Sequence, residues 1–286
     1  MAIYSKSQLD EQQQIIAAVN ILLTLTVFRL EQTYRRINEA EEIIRRIEEV
    51  IGRVFEIYPN ADVDILKKKK HGILAKKPDQ ELKTLLVLIS SNEKSYGDLV
   101  LKTIDLFIED LKKTNNDALV IGDWGRKIIE EHKFSNKIIY LTVDDYRPKP
   151  EEILAISQVI DKYDKVLVYH GSSQSIISQS ATKSQLMREI SAFTKPSKKY
   201  YIEPTPEEVI AYLNRQALLN NFSHKVYTSE VARLAARRWT WTKQQIARMG
   251  LMEELIKDYI RFRKSILAKQ QQVNIYALHV LTSELG

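Results

Sequence analysis

The stretch that decides the fold is residues 16–54, IAAVNILLTLTVFRLEQTYRRINEAEEIIRRIEEVIGRV. Apolar or small side chains recur in it at alternating steps of three and four residues, which is a heptad seam. The seam positions are Ile16, Val19, Leu23, Thr26, Leu30, Thr33, Ile37, Ala40, Ile44, Ile47, Ile51 and Val54. Glycine and proline are absent from residues 1–51. The pattern predicts one long helix that needs a partner helix along its seam.

A second long helix is predicted after residue 204. Thr205 is a good N-cap, Pro206 suits the first helical position, and Glu207 and Glu208 suit the positive end of the helix dipole. No proline follows Pro206, and Gly250 is the only glycine between positions 172 and 285. We expect this helix to run almost to the end of the chain, with Gly250 as its weak point.

Two apolar stripes run along the second helix. The first passes through Val231, Leu234, Arg238, Trp241, Gln245, Arg248, Met252, Leu255, Tyr259, Phe262 and Ile266. The second passes through Trp239, Thr242, Ile246, Met249, Ile256, Ile260 and Leu267. Two stripes indicate that the helix contacts more than one neighbour along its length.

The middle of the chain alternates short apolar runs with amphipathic stretches. The predicted strands are residues 85–89, 118–121, 137–143 and 165–169, and the predicted helices are 100–111, 125–132 and 153–163. Continuously apolar strands that alternate with helices predict a parallel sheet covered on both faces. The polar stretch 173–185 is interpreted as a loop or a ragged edge.

The fold class that follows is α/β, with a long antiparallel coiled coil of the N- and C-terminal helices and an inserted, parallel-sheet, Rossmann-like domain. The predicted domains are an N-terminal shaft helix (1–58), a basic linker (59–81), the α/β domain (82–204) and a C-terminal shaft helix (205–286).

Several kinds of chemistry find no support in the sequence. There is no cysteine, and the five histidines show no metal-ligand spacing. The pair Gly122-x-x-Gly125 lies between a strand and a helix but lacks the other residues of a phosphate loop, so a tight turn is the preferred interpretation. Catalytic, metal-binding and cofactor-binding residues are therefore all predicted to be absent.

Polar residues interrupt the most apolar early stretch, 15–30, so neither a signal peptide nor a membrane span is predicted and we expect a soluble, intracellular protein. The net charge is +6. Much of it lies on the C-terminal helix, at Arg233, Arg237, Arg238, Lys243, Arg248, Arg261, Arg263, Lys264 and Lys269. With Trp239 and Trp241 as stacking partners, such a helix fits nucleic-acid binding as well as an acidic protein partner.

Five segments together resemble the gamma subunit of the F-type ATP synthases. They are LLVLISSNEKSYG at 85–97, LVIGDWGRK at 119–127, YIEPTPEEVI at 201–210, SEVARLAA at 229–236 and YIRFRKSI at 259–266. Each segment alone is a weak match, but their order and spacing cover nearly the whole chain. The order of elements, long helix, α/β domain, long helix, is the family's as well.

The resemblance implies a non-catalytic central rotor shaft that couples ion-driven c-ring rotation to ATP synthesis or hydrolysis in the alpha3beta3 ring. The implied partners are the alpha, beta and epsilon subunits and the c-ring, with no nucleic acid and no cofactor. The implied location is the cytoplasmic side of the plasma membrane, peripherally, through the complex. The implied contacts with the catalytic ring are Arg233, Arg237, Arg263, Lys264 and Gln270, and those with the c-ring or epsilon subunit are Asn92, Glu93, Lys94 and Tyr96.

The sequence also departs from the family pattern. Lys264, Ala268 and Gln270 stand where the family has glutamine, threonine and glutamate, and the 92–96 loop has lost the family's Asp-Arg and cysteine. These departures keep two alternatives open. One is the shaft of a specialised rotary ATPase that does not make ATP, and the other is a basic coiled-coil protein that binds nucleic acid.

Overall fold

The computed structural model describes residues 6–57, 83–94, 96–145, 148–186, 202–203 and 205–284. In chain order its elements are α1 (Lys6–Ile57), β1 (Thr84–Ile89), α2 (Leu99–Lys113), β2 (Asp117–Ile121), α3 (Asp123–Glu131), β3 (Ile138–Leu141), α4 (Pro150–Ile160), β4 (Lys165–Ser173), β5 (Gln179–Gln185) and α5 (Pro206–Glu284). The two long terminal helices and the α/β sheet between them confirm that part of the predicted fold class. The predicted basic linker, 59–81, lies outside the described residues.

The sheet is mixed, with the strand order β3-β2-β1-β4-β5. The first four strands pair in parallel, as predicted, whereas β5 pairs antiparallel with β4 from Leu167↔Gln185 to Ser173↔Gln179. The prediction of an all-parallel sheet was therefore wrong. The stretch 173–185, interpreted as a loop or a ragged edge, holds a turn and the strand β5 at the edge of the sheet. The five residues 174–178 that join the two strands are too few for a crossover helix, so the chain can only turn back on itself.

Each face of the sheet carries its own apolar core because successive side chains of a strand point to opposite sides. On one face, Leu86, Leu88 and Val120 pack against Phe107 of α2 and Ile129 of α3. The other face is covered by α4 and by α5. Its core contains Leu85, Val87, Ile89, Leu119, Ile121, Ile156, Ile160, Leu218, Phe222 and Val226. Part of the C-terminal helix is therefore a layer of the α/β domain.

The chain divides by its contacts into a larger unit, residues 28–237, and a smaller unit, residues 1–27 with 238–286. In the larger unit α1 and α5 meet in three apolar clusters. Leu30 and Ile37 pack with Val231 and Leu234, Ile47 and Ile51 with Leu213 and Ala217, and Val54 with Ile210. Numbers rise along α1 as they fall along α5, so the two helices run antiparallel here.

Every predicted seam position of α1 is buried or half-buried. The most enclosed are Ile51, which is 0% exposed, and Thr33, which is 1% exposed. Burial at each seam position is what a paired helix requires. Coiled-coil packing along the full seam stays a prediction.

In the smaller unit the first stripe of α5 is the buried one. Its positions from Trp241 to Tyr259 are buried or half-buried, and Gln245 Nε2 donates a hydrogen bond to Asn20 Oδ1 of α1. In the second stripe, by contrast, Ile246 is 65% exposed. Helix α5 is continuous from Pro206 to Glu284, through the predicted weak point at Gly250.

Residues Leu9–Val54 of α1 are long and apolar enough for a membrane span, with a mean hydropathy of 1.5 over 18 residues. Length and composition therefore do not exclude a membrane span, contrary to the expectation from the polar residues in 15–30. A heptad seam beside exposed apolar residues gives the same composition. Such exposed residues here include Ile21, Leu25 and Phe28.

Replacing Ile51 by alanine tests the packing of α1 on α5. Ile51 is 0% exposed and packs with Ile47 and Ala217, whereas its neighbour Val50 is 43% exposed. We expect Ile51→Ala to lower the free energy of unfolding by ~2–4 kcal/mol, because it leaves a cavity. The control Val50→Ala should change it by less than about 0.5 kcal/mol. Urea unfolding of the full chain measures both, and equal losses would contradict the packing described.

Candidate functional site at the carboxyl edge of the sheet

The carboxyl ends of the parallel strands lie along one edge of the sheet. There the strand order changes direction, since the chain proceeds from β1 to β2 and β3 on one side and then continues with β4 on the other. Open α/β sheets bind their ligands in the crevice at such a point. In this protein a side chain of α5, Arg233, reaches that edge and binds the backbone beyond β1.

The turn after β2 is closed by the chain itself. Gly122 has a φ of 101°, and a Cβ on Gly125 would lie 2.4 Å from Ser90 Oγ. The amide of Gly125 donates to Ser90 Oγ at 3.0 Å, that of Trp124 to Ser91 O at 2.9 Å and that of Asp123 to Asn92 Oδ1 at 3.0 Å. The first amides of α3, which a phosphate would need, are already bonded. This geometry supports the tight turn predicted for the glycine pair.

Arg233 lies at the centre of the site. Its side chain is 4% exposed, and its guanidinium donates a hydrogen bond to Ser90 O. Its Nη2 lies 3.6 Å from Asp145 Oδ1, whose side chain is 8% exposed. A buried cation is tolerated only when acceptors and an anion surround it, and these groups supply both.

Arg237 lies one helical turn further along α5. Its guanidinium donates to the carboxylate of Glu93, and it lies over the ring of Tyr96 at 4.1 Å from the ring centre. Arg233 lies 5.6 Å from the centre of the same ring. Tyr96 is itself 2% exposed and belongs to the apolar core on the α2 face. One aromatic ring therefore joins both arginines to the interior of the domain.

Asp145 is held in place by the loop after β1. The amide of Asn92 donates to Asp145 Oδ2 at 2.8 Å, and Asn92 Nδ2 donates to Val143 O at 2.7 Å. Burial raises the pKa of Asp145, because the loss of water outweighs the attraction of Arg233 and the Asn92 hydrogen bond. The 90–93 loop and the 143–145 loop are thereby fixed to each other.

Glu230 is the third ionisable residue that α5 contributes. It is 4% exposed, and burial raises its pKa to about 7 despite Arg233, a hydrogen bond with Thr33 of α1, and Arg36. Its Oε2 and the Nε of Arg233 have no hydrogen-bond partner among the described residues. Glu230 therefore connects α1 to the same group of side chains, while one of its carboxylate oxygens accepts no hydrogen bond from the described residues.

Small residues let α5 approach the sheet closely. A Cβ on Gly171, in β4, would lie 3.2 Å from Cβ of Ala232 and 3.1 Å from Leu99 Cδ2. The amide of Gly171 donates to Ser229 Oγ at 3.3 Å. A side chain at position 171 would be crowded at this helix–strand distance, so glycine favours the close approach of α5 on which the arginine contacts with Ser90 and Asp145 rest.

We call this group the sheet-edge junction. Its members are Ser90, Asn92, Glu93, Tyr96, Asp145, Glu230, Arg233 and Arg237. All of them belong to the larger unit. The junction holds one face of α5 against the carboxyl edge of the sheet.

The structure groups the predicted site residues differently from the sequence analysis. Arg233 and Arg237, predicted to contact a catalytic ring, bind within the chain to the loop of Asn92, Glu93 and Tyr96, which was predicted to contact other subunits. Lys94, in the same loop, is exposed and lies 4.2 Å from the ring centre of Trp124. Arg263, Lys264 and Gln270 lie in the smaller unit with exposed side chains.

Sequence reasoning missed Ser90, Asp145 and Glu230. One local signal was available, because Arg233 and Arg237 flank the small apolar run Leu234–Ala236 at a spacing that places both on one helix face. Arginines embedded in such a run indicate burial and pairing rather than a solvated surface. Their hydrogen-bond acceptors, Ser90 and Glu93, lie 143 and 144 residues away and have no local signal.

In the described ranges no group of three or more histidine, aspartate or glutamate side chains is placed to hold a metal ion. The ionisable groups of the junction instead predict a pH-dependent stability. The folded-state pKa of Glu230, about 7, lies above the ordinary value of 4.5. The stability that Glu230 contributes to the folded state is fully present below pH 4.5. It is lost as the pH rises through 7, because the folded state then holds a desolvated carboxylate.

Glu230→Gln removes this titration. The quantity compared is the free energy of unfolding of the variant minus that of the wild type. We expect this difference to rise by roughly 2–3 kcal/mol from pH 5 to pH 8. Urea unfolding of the full chain at both pH values measures it. The exposed Glu254→Gln on the same helix makes the same change of formal charge in water and serves as the control. If the free energies of unfolding of Glu230→Gln and the wild type differ by the same amount at both pH values, the raised pKa of Glu230 is refuted.

Comparison with known proteins gives a family. A family model described as ATP synthase matches residues 7–266. No curated protein matches the sequence. Among solved structures, the chain is similar to one in the central stalk and c-ring of Tetrahymena thermophila mitochondrial ATP synthase, with 16% identity, a TM-score of 0.45, and 77% of this chain and 99% of that one covered.

Two Euglena gracilis mitochondrial ATP synthase structures are similar as well. For the chain in the rotor structure, rotational state 1, the identity is 13%, the TM-score 0.43, and the coverage 87% of this chain and 99% of that one. For the chain in the OSCP/F1/c-ring structure, rotational state 3, the identity is 12%, the TM-score 0.42, and the coverage 92% of this chain and 95% of that one.

Proposed function

Because the chain belongs to the F-type ATP synthase gamma-subunit family, we propose that it is the central rotor shaft of such an enzyme. It couples ion-driven rotation of a c-ring to ATP synthesis or hydrolysis in an alpha3beta3 ring and carries no catalytic residues of its own. The observation that carries the proposal is the family match, which spans residues 7–266 of the chain.

A shaft must resist twisting, and the helices of the larger unit supply the means. The seam of α1 packs on α5 at Leu30, Ile51 and Val54, and α5 packs on the sheet through Phe222. Antiparallel helices buried against each other and against a sheet are stiffer than either helix alone. Continuation of this pairing as a coiled coil along the whole seam is part of the proposal.

A shaft also needs a surface for the ring around it. The second apolar stripe of α5 fits that need, because Ile246, Met249 and Ile260 are 65%, 56% and 47% exposed. Contiguous exposed apolar residues are typical of a protein interface. The exposed Arg263, Lys264 and Gln270 continue along the helix and are the proposed polar contacts with the catalytic ring.

Burial separates the remaining proposed contacts into two kinds. Glu93 and Lys94 are exposed enough to meet an epsilon subunit or a c-ring, whereas Tyr96 is buried and supports them from behind. Arg233 and Arg237 are 3% and 6% exposed, so a contact with the catalytic ring would require them to leave the junction. We therefore assign the polar ring contacts to the residues beyond 260, in addition to the apolar stripe.

The specialised rotary ATPase remains the second candidate. The exposed positions Lys264, Ala268 and Gln270 differ in charge and size from the family pattern, and those differences favour an altered ring contact. Nucleic-acid binding is less favoured, because the junction takes two of the nine basic residues counted for it, Arg233 and Arg237, out of contact with solvent. A location on the cytoplasmic side of the plasma membrane is proposed on the resemblance alone.

Capture of the tagged chain from its native membranes, with mass spectrometry, tests the proposal. We expect alpha, beta, epsilon and c-ring subunits to be recovered together. Recovery of an alpha/beta-like hexamer without a c-ring would favour the specialised motor. Recovery of neither, together with salt-sensitive binding to random-sequence DNA or RNA, would replace the shaft by the nucleic-acid-binding alternative.

Breaking the seam tests whether stiffness matters. Ile37 packs with Leu30, Val231 and Leu234, and Ile37→Pro removes a helical hydrogen bond at that point. We expect ATP-driven ion pumping in membrane vesicles to fall strongly relative to ATP hydrolysis. Ile37→Leu keeps an apolar seam and is the control. Full coupling in the proline variant would show that a continuous α1 is not required.

A further inference from the structure

We propose that the sheet-edge junction carries torque between the α/β domain and α5, and that the pair of buried Arg237 and half-exposed Glu93 is one of the contacts that transmit it. The inference rests on the proposed function. It assigns to these residues a role that follows from their contacts within the chain, rather than from the resemblance to the family.

The apolar contacts between α5 and the sheet are, by themselves, poorly suited to transmitting torque. Leu218, Phe222 and Val226 hold α5 against the sheet through contacts that have no preferred direction. Such contacts oppose separation of the two surfaces more than they oppose rotation of one against the other. A helix that is twisted about its axis needs contacts that weaken when the angle between the groups changes.

The junction supplies directional contacts on one face of α5. Arg233 donates to Ser90 O and pairs with Asp145, and Arg237 pairs with Glu93. Charge-assisted hydrogen bonds of a planar guanidinium depend on both distance and angle. Rotation of α5 away from the sheet would leave buried charges without partners, which opposes the rotation.

The position of the junction along the chain fits the same role. Arg237 is the last residue of α5 in the larger unit, and the helix continues from there into the smaller unit. Both α5 and α1 continue into the smaller unit. Torque that the α/β domain passes to α5 therefore enters that helix within the larger unit, up to this residue. The partners of both arginines are in loops tied to the core, by Tyr96 and by the hydrogen bonds of Asn92.

The Arg237–Glu93 pair allows a clean experiment, because the side chain of Glu93 is 49% exposed and tolerates replacement better than the buried groups do. The variants are Arg237→Glu, Glu93→Arg and the double exchange, each in the assembled enzyme in membrane vesicles. Ions pumped per ATP hydrolysed are measured without and with an opposing ion gradient, and assembly is followed by the amount of complex recovered.

We expect each single variant to keep hydrolysing ATP but to lose pumping several-fold once the opposing gradient is applied. The double exchange should restore most of the loss, since it rebuilds the pair with the charges reversed. Arg126→Glu is the matched control, because it breaks an exposed pair with Glu130 in α3. A purely structural role would reduce the amount of complex and leave the ratio unchanged at every load.

If the charge reversals prevent assembly, Arg237→Lys replaces them. It keeps the charge but loses the planar fork, so we expect a smaller loss that appears only under load. Pumping ratios equal to wild type in variants that assemble would overturn the inference, as would a loss that the double exchange fails to rescue. A wild-type chain absent from any ion-pumping complex would instead overturn the proposed function, and this inference with it.

Discussion

The contacts between the loops, the sheet and α5 depend on the burial of one guanidinium group. Arg233 is 3% exposed, and a cation out of water persists only among acceptors that are held in place. Those acceptors are the carbonyl of Ser90, where β1 ends, and Asp145, which Asn92 holds through its backbone amide. The glycine of β4, Gly171, brings the helix near enough for the bonds to form. The loops, the sheet and α5 therefore depend on one another, and the crevice that other α/β proteins use for a ligand is occupied by a helix of the same chain.

The parts of the fold that depend on local periodicity could be predicted from the sequence. The heptad spacing predicted which residues of α1 are buried, since every seam position from Ile16 to Val54 is buried or half-buried. The apolar runs gave β1 to β4, because strands buried on both faces must be apolar throughout. The predicted weak point at Gly250 does not end α5, since one glycine costs a long helix only about 1 kcal/mol. Strand β5 was missed because half of its side chains face solvent and none is a large apolar residue.

The junction could not be predicted, because its contacts join residues from 53 to 144 positions apart. A basic helix and a polar loop were each interpreted as a surface for other proteins, and opposite charges on two such surfaces bind each other equally well. In the folded chain the two surfaces meet where α5 approaches β4 closely at Gly171 and Ala232. The two stripes of α5 illustrate the same limit, since periodicity identified both and only the structure shows that Val231 is buried and Ile246 exposed.

The tight approach of α5 to β4 also fixes how the length of that helix can change in evolution. Ser229, Ala232 and Arg233 must meet the sheet at one angular setting, and each inserted residue turns a helix by roughly 100°. Between Pro206 and Ser229, insertions or deletions of seven residues nearly preserve that setting, whereas single-residue changes rotate the arginines away from the edge. Beyond residue 260 the described side chains of α5 are exposed up to residue 277, and no contact among the described residues sets such a rule there. Homologous chains are therefore expected to vary more freely in length beyond residue 260, and in steps of whole heptads between Pro206 and Ser229.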